Sequence, residues 1–244
     1  MLAGLYTAAA GMEAQQTRME AIANDLANVS TNGYKSLRVG FRDLLYQAPG
    51  RGGGAGTQTG AGATAGLIGH DFGQGGLMAT ERPLDVALSG PGFIRVRGRD
   101  GGIALTRDGN LGLTPDGRLR TSNGQLLEPP VQLPRGTDPD EVEIRSDGTV
   151  SAGGRRAGRI TILNVTNPDG LAADGESALR PTAASGPLTA APQTRVQQGV
   201  LEASNVDMAD ATVEMMNAQR GFELASRAIQ MQDEVLAVAN GVKR

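Results

Sequence analysis

The chain has 244 residues, 39% of them apolar, only 3% aromatic, with 36 Gly and no Trp or Cys. A net charge of −3 with scattered Lys and Arg gives no basic stripe for nucleic acid, and zero Cys excludes disulfides, thiolate chemistry and Cys-based metal sites. No stretch reaches the ~20 continuous apolar residues that span a bilayer, so direct membrane insertion is not expected.

The first predicted element is a helix from Leu2 to Asn28. Large apolar residues repeat every seven positions at Leu5, Met12, Met19 and Leu26. A second row, Ala8/Ala9, Gln15, Ile22 and Val29, is smaller and more polar. A sustained heptad keeps one narrow seam facing a partner helix, the pattern of a coiled coil. Met1–Ala10 lacks the basic start of a signal peptide and merges into the heptad, so it is expected to remain in the mature protein. The helix is expected to stop at Ser30-Thr31-Asn32-Gly33, where Asn-Gly supplies positive-φ turn chemistry. Tyr34–Gln47 follows as a short strand or extended arm.

From Ala48 to Gly76 the chain turns to Gly, Ala, Thr and Gln. Such a stretch buries too little apolar surface to offset its own ordering entropy. It reads either as a free linker or as a segment that orders against neighbouring subunits.

Residues 82–193 carry β signals: Asp85–Leu88, Phe93–Val96, Ile103–Thr106 and Ile160–Val165. Turn dipeptides punctuate them at Asp100-Gly101, Asp108-Gly109, Asp116-Gly117 and Asn123-Gly124, the cadence of a β-meander, and Asp147-Gly148 and Asp169-Gly170 continue it. Each acid is single and accounted for by its turn, so no metal array is expected. Pro181, Pro187 and Pro192 mark the exit from this body.

A last helix is predicted from Val206 to Val242. Ser204 or Asn205 would cap it, with Asp207 and Asp210 at its positive end. Its heptad rows are Met208, Met215, Phe222, Ile229, Leu236 and Ala211, Ala218, Ala225, Gln232, Ala239. The expected fold is therefore α+β: N- and C-terminal helices paired as a coiled coil around a β-rich domain of short antiparallel strands. The corresponding divisions are 1–47 (helix and arm, forming one discontinuous helical domain with 196–244), 48–81 (Gly-rich), 82–195 (β-rich) and 196–244 (helix).

Little here could perform catalysis. His70 is the single histidine and lies in the Gly-rich stretch, without the rigid neighbours a catalytic base needs. There is no phosphate loop and no dinucleotide fingerprint. No catalytic residue, cofactor or metal is expected.

The segment Ala23-Asn24-Asp25-Leu26-Ala27-Asn28-Val29-Ser30-Thr31-Asn32-Gly33-Tyr34-Lys35 is different in kind. Asn24 and Asn28 stand one turn apart beside a helix end, where mediocre helix formers suggest hydrogen bonds to another backbone. This segment closely resembles the N-terminal motif of the flagellar rod and hook family, the axial proteins of the bacterial flagellum. Gly199–Asp207 and Gln219-Arg220-Gly221-Phe222-Glu223 resemble the family's C-terminal motif. Arg82–Leu88, Gly92-Phe93 and Thr106-Arg107-Asp108-Gly109 are similar to its β-domain motifs. The chain's length resembles the rod proteins rather than the longer hook protein. The position of 48–76 leans towards the distal rod type over the proximal, although its composition departs from the distal segment.

The resemblance implies a structural subunit of the rod, the drive shaft from motor to hook, located in the cell envelope outside the cytoplasmic membrane. It implies export unfolded through the flagellar type III channel without a cleaved signal. Implied partners are further copies in a helical assembly, neighbouring rod and hook subunits, the export apparatus and envelope ring proteins. Leu5, Met12, Met19, Leu26, Met208, Met215, Phe222, Ile229 and Leu236 would form the assembly seam. Asn24, Asn28, Gly33, Tyr34, Lys35, Ser204, Asn205, Gln219 and Arg220 would contact other subunits. The rival readings are a peptidoglycan hydrolase, which needs a cleft with paired acids, and an adhesin-like envelope-binding module, which needs only the β-domain.

Overall fold

The computed structural model describes residues 2–44, 62–175 and 177–241. Two helices bracket seventeen short strands among the described residues. In chain order they are α1 (Leu2–Ala27), β1 (Leu37–Asp43), β2 (Ala63–His70), β3 (Leu77–Ala79), β4 (Val86–Ser89), β5 (Phe93–Arg97), β6 (Ile103–Thr106), β7 (Leu111–Leu113) and β8 (Leu119–Thr121). There follow β9 (Val142–Ile144), β10 (Thr149–Ala152), β11 (Arg155–Arg159), β12 (Ile162–Val165), β13 (Ala172–Gly175), β14 (Ala178–Arg180), β15 (Leu188–Ala190), β16 (Arg195–Gln198), β17 (Val200–Glu202) and α2 (Met208–Gly241). The chain divides into two compact units. One holds α1, β1, β2 through Ile68, and α2; the other holds 28–36 and 69–206.

In the helical unit α1 and α2 run antiparallel. A Cβ built on Gly4 would lie 2.9 Å from the Gln232 side chain, and one on Gly221 would lie 3.1 Å from that of Gln15. Arg18 pairs with Glu214 at 3.5 Å. The less exposed positions of α2 are chiefly Ala211, Met215, Ala218, Phe222, Ala225, Ile229 and Gln232, with 3–4 spacing. Ala218 is fully buried, whereas Met208, expected in the seam, is 57% exposed in the first turn. The Leu236 side chain lies outside the described residues. On α1 the expected row of Leu5, Met12, Met19 and Leu26 is half-buried, and the deepest residues are Ala14, Ala21 and Ile22. The reason is a second neighbour. Strands β1 and β2 form a two-stranded sheet beside α1, with Gly62 against Thr7 and Ala10 and Gly40 against Ile68. A helix covered on two sides buries a broader face than its heptad indicates.

Strand β2 and strand β3 lie in the stretch 48–81, expected as a linker or an intersubunit segment. Pairing supplies what composition withholds: β2 pairs with β1, and β3 with β17. Residues 45–61, the end of the expected arm and the start of the Gly-rich stretch, lie outside the described residues.

The β unit is built from antiparallel pairs. Its largest sheet has the order β13-β14-β6-β5-β12-β15, and β11-β10-β9, β16-β4, β17-β3 and β7-β8 form smaller ones. The Asp-Gly cadence does make local hairpins. Asp100-Gly101 joins β5 to β6, Asp116-Gly117 joins β7 to β8, and Asp147-Gly148 joins β9 to β10, each Gly having positive φ. A continuous meander does not form, because β4, β5 and β6 take their outer partners from β16, β12 and β14, far along the chain. The main core gathers Val86, Leu88, Ile94, Val96, Leu111, Leu119, Val131 and Val150 among others. A smaller cluster holds Phe93, Leu105, Val165, Leu171 and Leu179. Aliphatic residues dominate both, as the scarcity of aromatics requires.

Asp207 caps α2, its Oδ1 accepting from the amides of Ala209 at 2.8 Å and Asp210 at 3.1 Å. Ser204 and Asn205, expected as caps, are engaged elsewhere.

Candidate functional site

Three stretches that carry the family resemblance meet inside the β unit at one buried carboxylate. Strand β17 ends at Glu202, whose side chain has no exposure. Lys35 donates to its Oε1 at 2.6 Å, Arg107 to its Oε2 at 2.9 Å, and the Gly75 amide to Oε1 at 3.0 Å. Lys35 also donates to the Gly73 carbonyl at 2.7 Å and Arg107 to the Gly90 carbonyl at 2.8 Å. The Arg107 guanidinium stands 5.6 Å from the Phe93 ring centroid, a cation–π contact. Burial draws the Lys35 ammonium below its ordinary range. The Glu202 hydrogen bond and charge oppose that shift, and Arg107 reinforces it. Removing one partner from such a buried cluster costs about 3–5 kcal/mol, because it strands a charge away from water.

The backbone around Glu202 is tied just as closely. The Gly33 amide donates to the Glu202 carbonyl at 2.8 Å, and Ala203 donates to the Gly76 carbonyl at 2.8 Å. Asn205 accepts from the Ser36 amide at 2.9 Å and donates to the Asp71 carbonyl at 2.8 Å. Two glycines are required here. Gly33 sits at φ +67° with any Cβ colliding with the Arg107 backbone, and a Cβ on Gly75 would collide with the Ala203 carbonyl.

The residues expected to touch other subunits fall into two groups. Gly33, Lys35, Ser204 and Asn205 belong to this clasp or its edge: Lys35 is 5% exposed, and the Ser204 hydroxyl accepts from the Val206 amide at 3.2 Å. Asn28 finishes α1, accepting from the Thr31 amide at 3.0 Å and from its hydroxyl at 3.2 Å. Tyr34 is half-buried one residue before Lys35, while Asn24, Gln219 and Arg220 are exposed on the helices. Glu202 and Arg107 were not among the expected site residues. Both stand in quoted motifs, but nothing local in the sequence shows that residues 95 apart form a pair.

The helical unit presents a different surface. Val213, Met216, Leu224, Met231, Val235 and Val238 of α2 are 45–67% exposed. At about 100° per residue all but Met216, which lies on the flank, fall on the side of α2 opposite the Met215–Phe222–Ile229 row. Large apolar residues exposed along one side of a helix, here interleaved with Arg220 and Arg227, are the kind of surface that interactions cover.

Family models match the chain at three places. "Flagella basal body rod protein" covers residues 5–35, "Flagellar hook protein FlgE/F/G D1 domain" covers 87–152, and "Flagellar basal body rod FlgEFG protein C-terminal" covers 197–242. The flagellar basal-body rod protein FlgG of Borreliella burgdorferi is 36% identical over 264 residues, covering 100% of both chains. The chain belongs to the flagellar basal-body rod family. FlgG of Bacillus subtilis is likewise 36% identical over 100% of both chains, and FlgG of Caulobacter vibrioides is 34% identical over 98% of each. This family is structural, not enzymatic, and the chain is a subunit of the flagellar rod, with the distal type favoured. The matched segments coincide with the helices and with all three corners of the clasp: Lys35 in the first, Arg107 in the second and Glu202 in the third.

Proposed function

We infer that this rod subunit polymerises through its two terminal helices, paired as a coiled coil, into the distal drive shaft that carries torque to the hook. The observation that carries this reading is the exposed apolar stripe of α2 opposite the face turned towards α1. A helix that is apolar on two opposite sides has more to bury than one partner helix covers. Neighbouring copies supply the remainder, and a head-to-tail contact that does not close into a ring generates an open helical polymer. The 3–4 spacing of the less exposed α2 positions supports the coiled-coil pairing. Adjoining rod and hook subunits then continue the same packing, the export apparatus delivers the chain without cleavage, and envelope rings surround the finished shaft. The distal assignment rests on the full-length likeness to proteins named FlgG.

The test is electron microscopy of basal bodies from cells whose only copy carries Leu224→Asp with Met231→Asp. The expected outcome is a shortened, hookless rod while the purified variant keeps the β-unit melting of the parent. Normal rods with hooks would refute the stripe as an assembly surface. Phe222→Asp and Leu26→Asp test the seam in the same assay. In cells lacking the protein altogether, the length of the remaining rod separates a distal from a proximal subunit.

A further inference from the structure

The clasp has a property that polymerisation does not call upon. Segments 28–36 and 69–80 precede most of the β unit in the chain, yet most of their backbone fastenings lie near its end, while Gln74 bonds to the Leu88 carbonyl and Phe72 packs on Phe93. Lys35 reaches Glu202 across 167 residues and the Gly75 amide reaches it across 127. Gly33 bonds to Glu202, Ser36 and Asp71 bond to Asn205, Gly76 bonds to Ala203, and Thr80 bonds to Gly199. Strand β3 has β17 as its one partner in a two-stranded sheet. The same strip reaches the body too, because the Gly199 amide donates to the Asp85 carbonyl at 2.8 Å.

We propose that residues 199–205 act as a closing strap, so that segments 28–36 and 69–80 stay open until this late stretch arrives and Glu202 pins them. Before Glu202 is in place, seating Lys35 and Arg107 would bring two cations together out of water with no anion between them. Early contacts of Gln74 with β4 and of Phe72 with Phe93 remain open to the chain, but the seating of Lys35 and Arg107 is opposed until Glu202 arrives. Long loops must also be closed before any of these contacts is gained. The six-stranded sheet is independent of the strap: β5, β6, β12 and β14 pair with one another, and Phe93, Leu105, Val165 and Leu179 pack there without any residue of 199–205. Since a chain is made from its N-terminus, the segment following α1 remains unfolded through synthesis of nearly the whole β unit. This inference concerns the order of closure within one copy and does not depend on how copies assemble.

Native-state hydrogen exchange on the full-length protein tests it. The amides of Gly33, Gly75 and Thr80 should open together with those of 200–203, in one event more frequent than the event exposing Phe93–Arg97 and Ile103–Thr106. In full-length Glu202→Gln, exchange at Gly33, Gly75 and Thr80 should accelerate about a hundredfold, the minimum for an unpaired buried charge, with 93–106 unchanged. Three results would each overturn the proposal: a single opening event for both sets in the parent protein, unchanged exchange at the three amides in the variant, or loss of protection throughout 93–106 in that variant.

Discussion

Asp108 is an acid whose setting departs from its motif. It belongs to an Asp-Gly pair, the usual sign of an exposed turn, yet it is 3% exposed. Its carboxylate accepts from the Ser122 hydroxyl at 2.6 Å and from the Asn110 amide at 3.0 Å. A Cβ on the following Gly109 would collide with the Val86 carbonyl, so close backbone approach requires this glycine. Burial raises the Asp108 carboxyl above its ordinary 3.8; the two hydrogen bonds pull it back and the Asp85 charge adds to the rise. With the folded value above the unfolded one, the folded state binds the extra proton. Its stabilising effect is complete below 3.8 and is lost as pH rises through the folded value. Asp108→Asn keeps the shape and removes that loss. Denaturant midpoints should show the variant gaining on the parent as pH rises above 3.8, until the folded carboxyl has ionised. A pH-independent difference would exclude Asp108 as the source. No local pattern distinguishes this Asp-Gly from the hairpin at Asp100-Gly101. The distinction comes from β4 passing over residues 109 and 110, a contact between separate strands.

The helices were the most legible elements because their periodicity is local. The last helix was placed within two residues of each end, and its Ala211–Ala218–Ala225–Gln232 row lies on the less exposed side. What local pattern omits is the second neighbour of α1, since β1 and β2 reach it only through tertiary pairing. The same limit hid β3, whose three residues alone carry no strand signal. Small residues set the helix spacing. Ala218 is fully buried and Gly221 lies against Gln15, so bulk in this row must push α1 away. Ala218→Leu should lower helical-unit stability by about 1–3 kcal/mol through overpacking. Arg18→Ala, which removes a partly exposed ion pair with Glu214 at 3.5 Å, should cost under about 1 kcal/mol. Thermal melts followed by the helical circular dichroism signal compare them. Equal effects would mean that the ion pair, rather than close packing, sets the spacing.

At the scale of the whole molecule the two units differ in how much they bury alone. The β unit owns two aliphatic clusters and the Glu202 clasp. Among the described residues, the helical unit's buried apolar residues are Ala14, Ala21, Ile22 and Ala218, while Leu224, Met231 and Val238 are more than 60% exposed. Helices with so little covered are marginal by themselves, because most helical stability in proteins comes from packing. A dilute subunit should therefore melt in two steps, losing its helical signal below the temperature at which the β unit unfolds. Association covers the exposed stripe and binds only the folded helices, so mass action should raise the first transition with protein concentration and leave the second in place. Calorimetry over a concentration series reads both. A single transition independent of concentration would mean that the helices draw their stability from within one copy, and the stripe would lose its claim as the assembly surface.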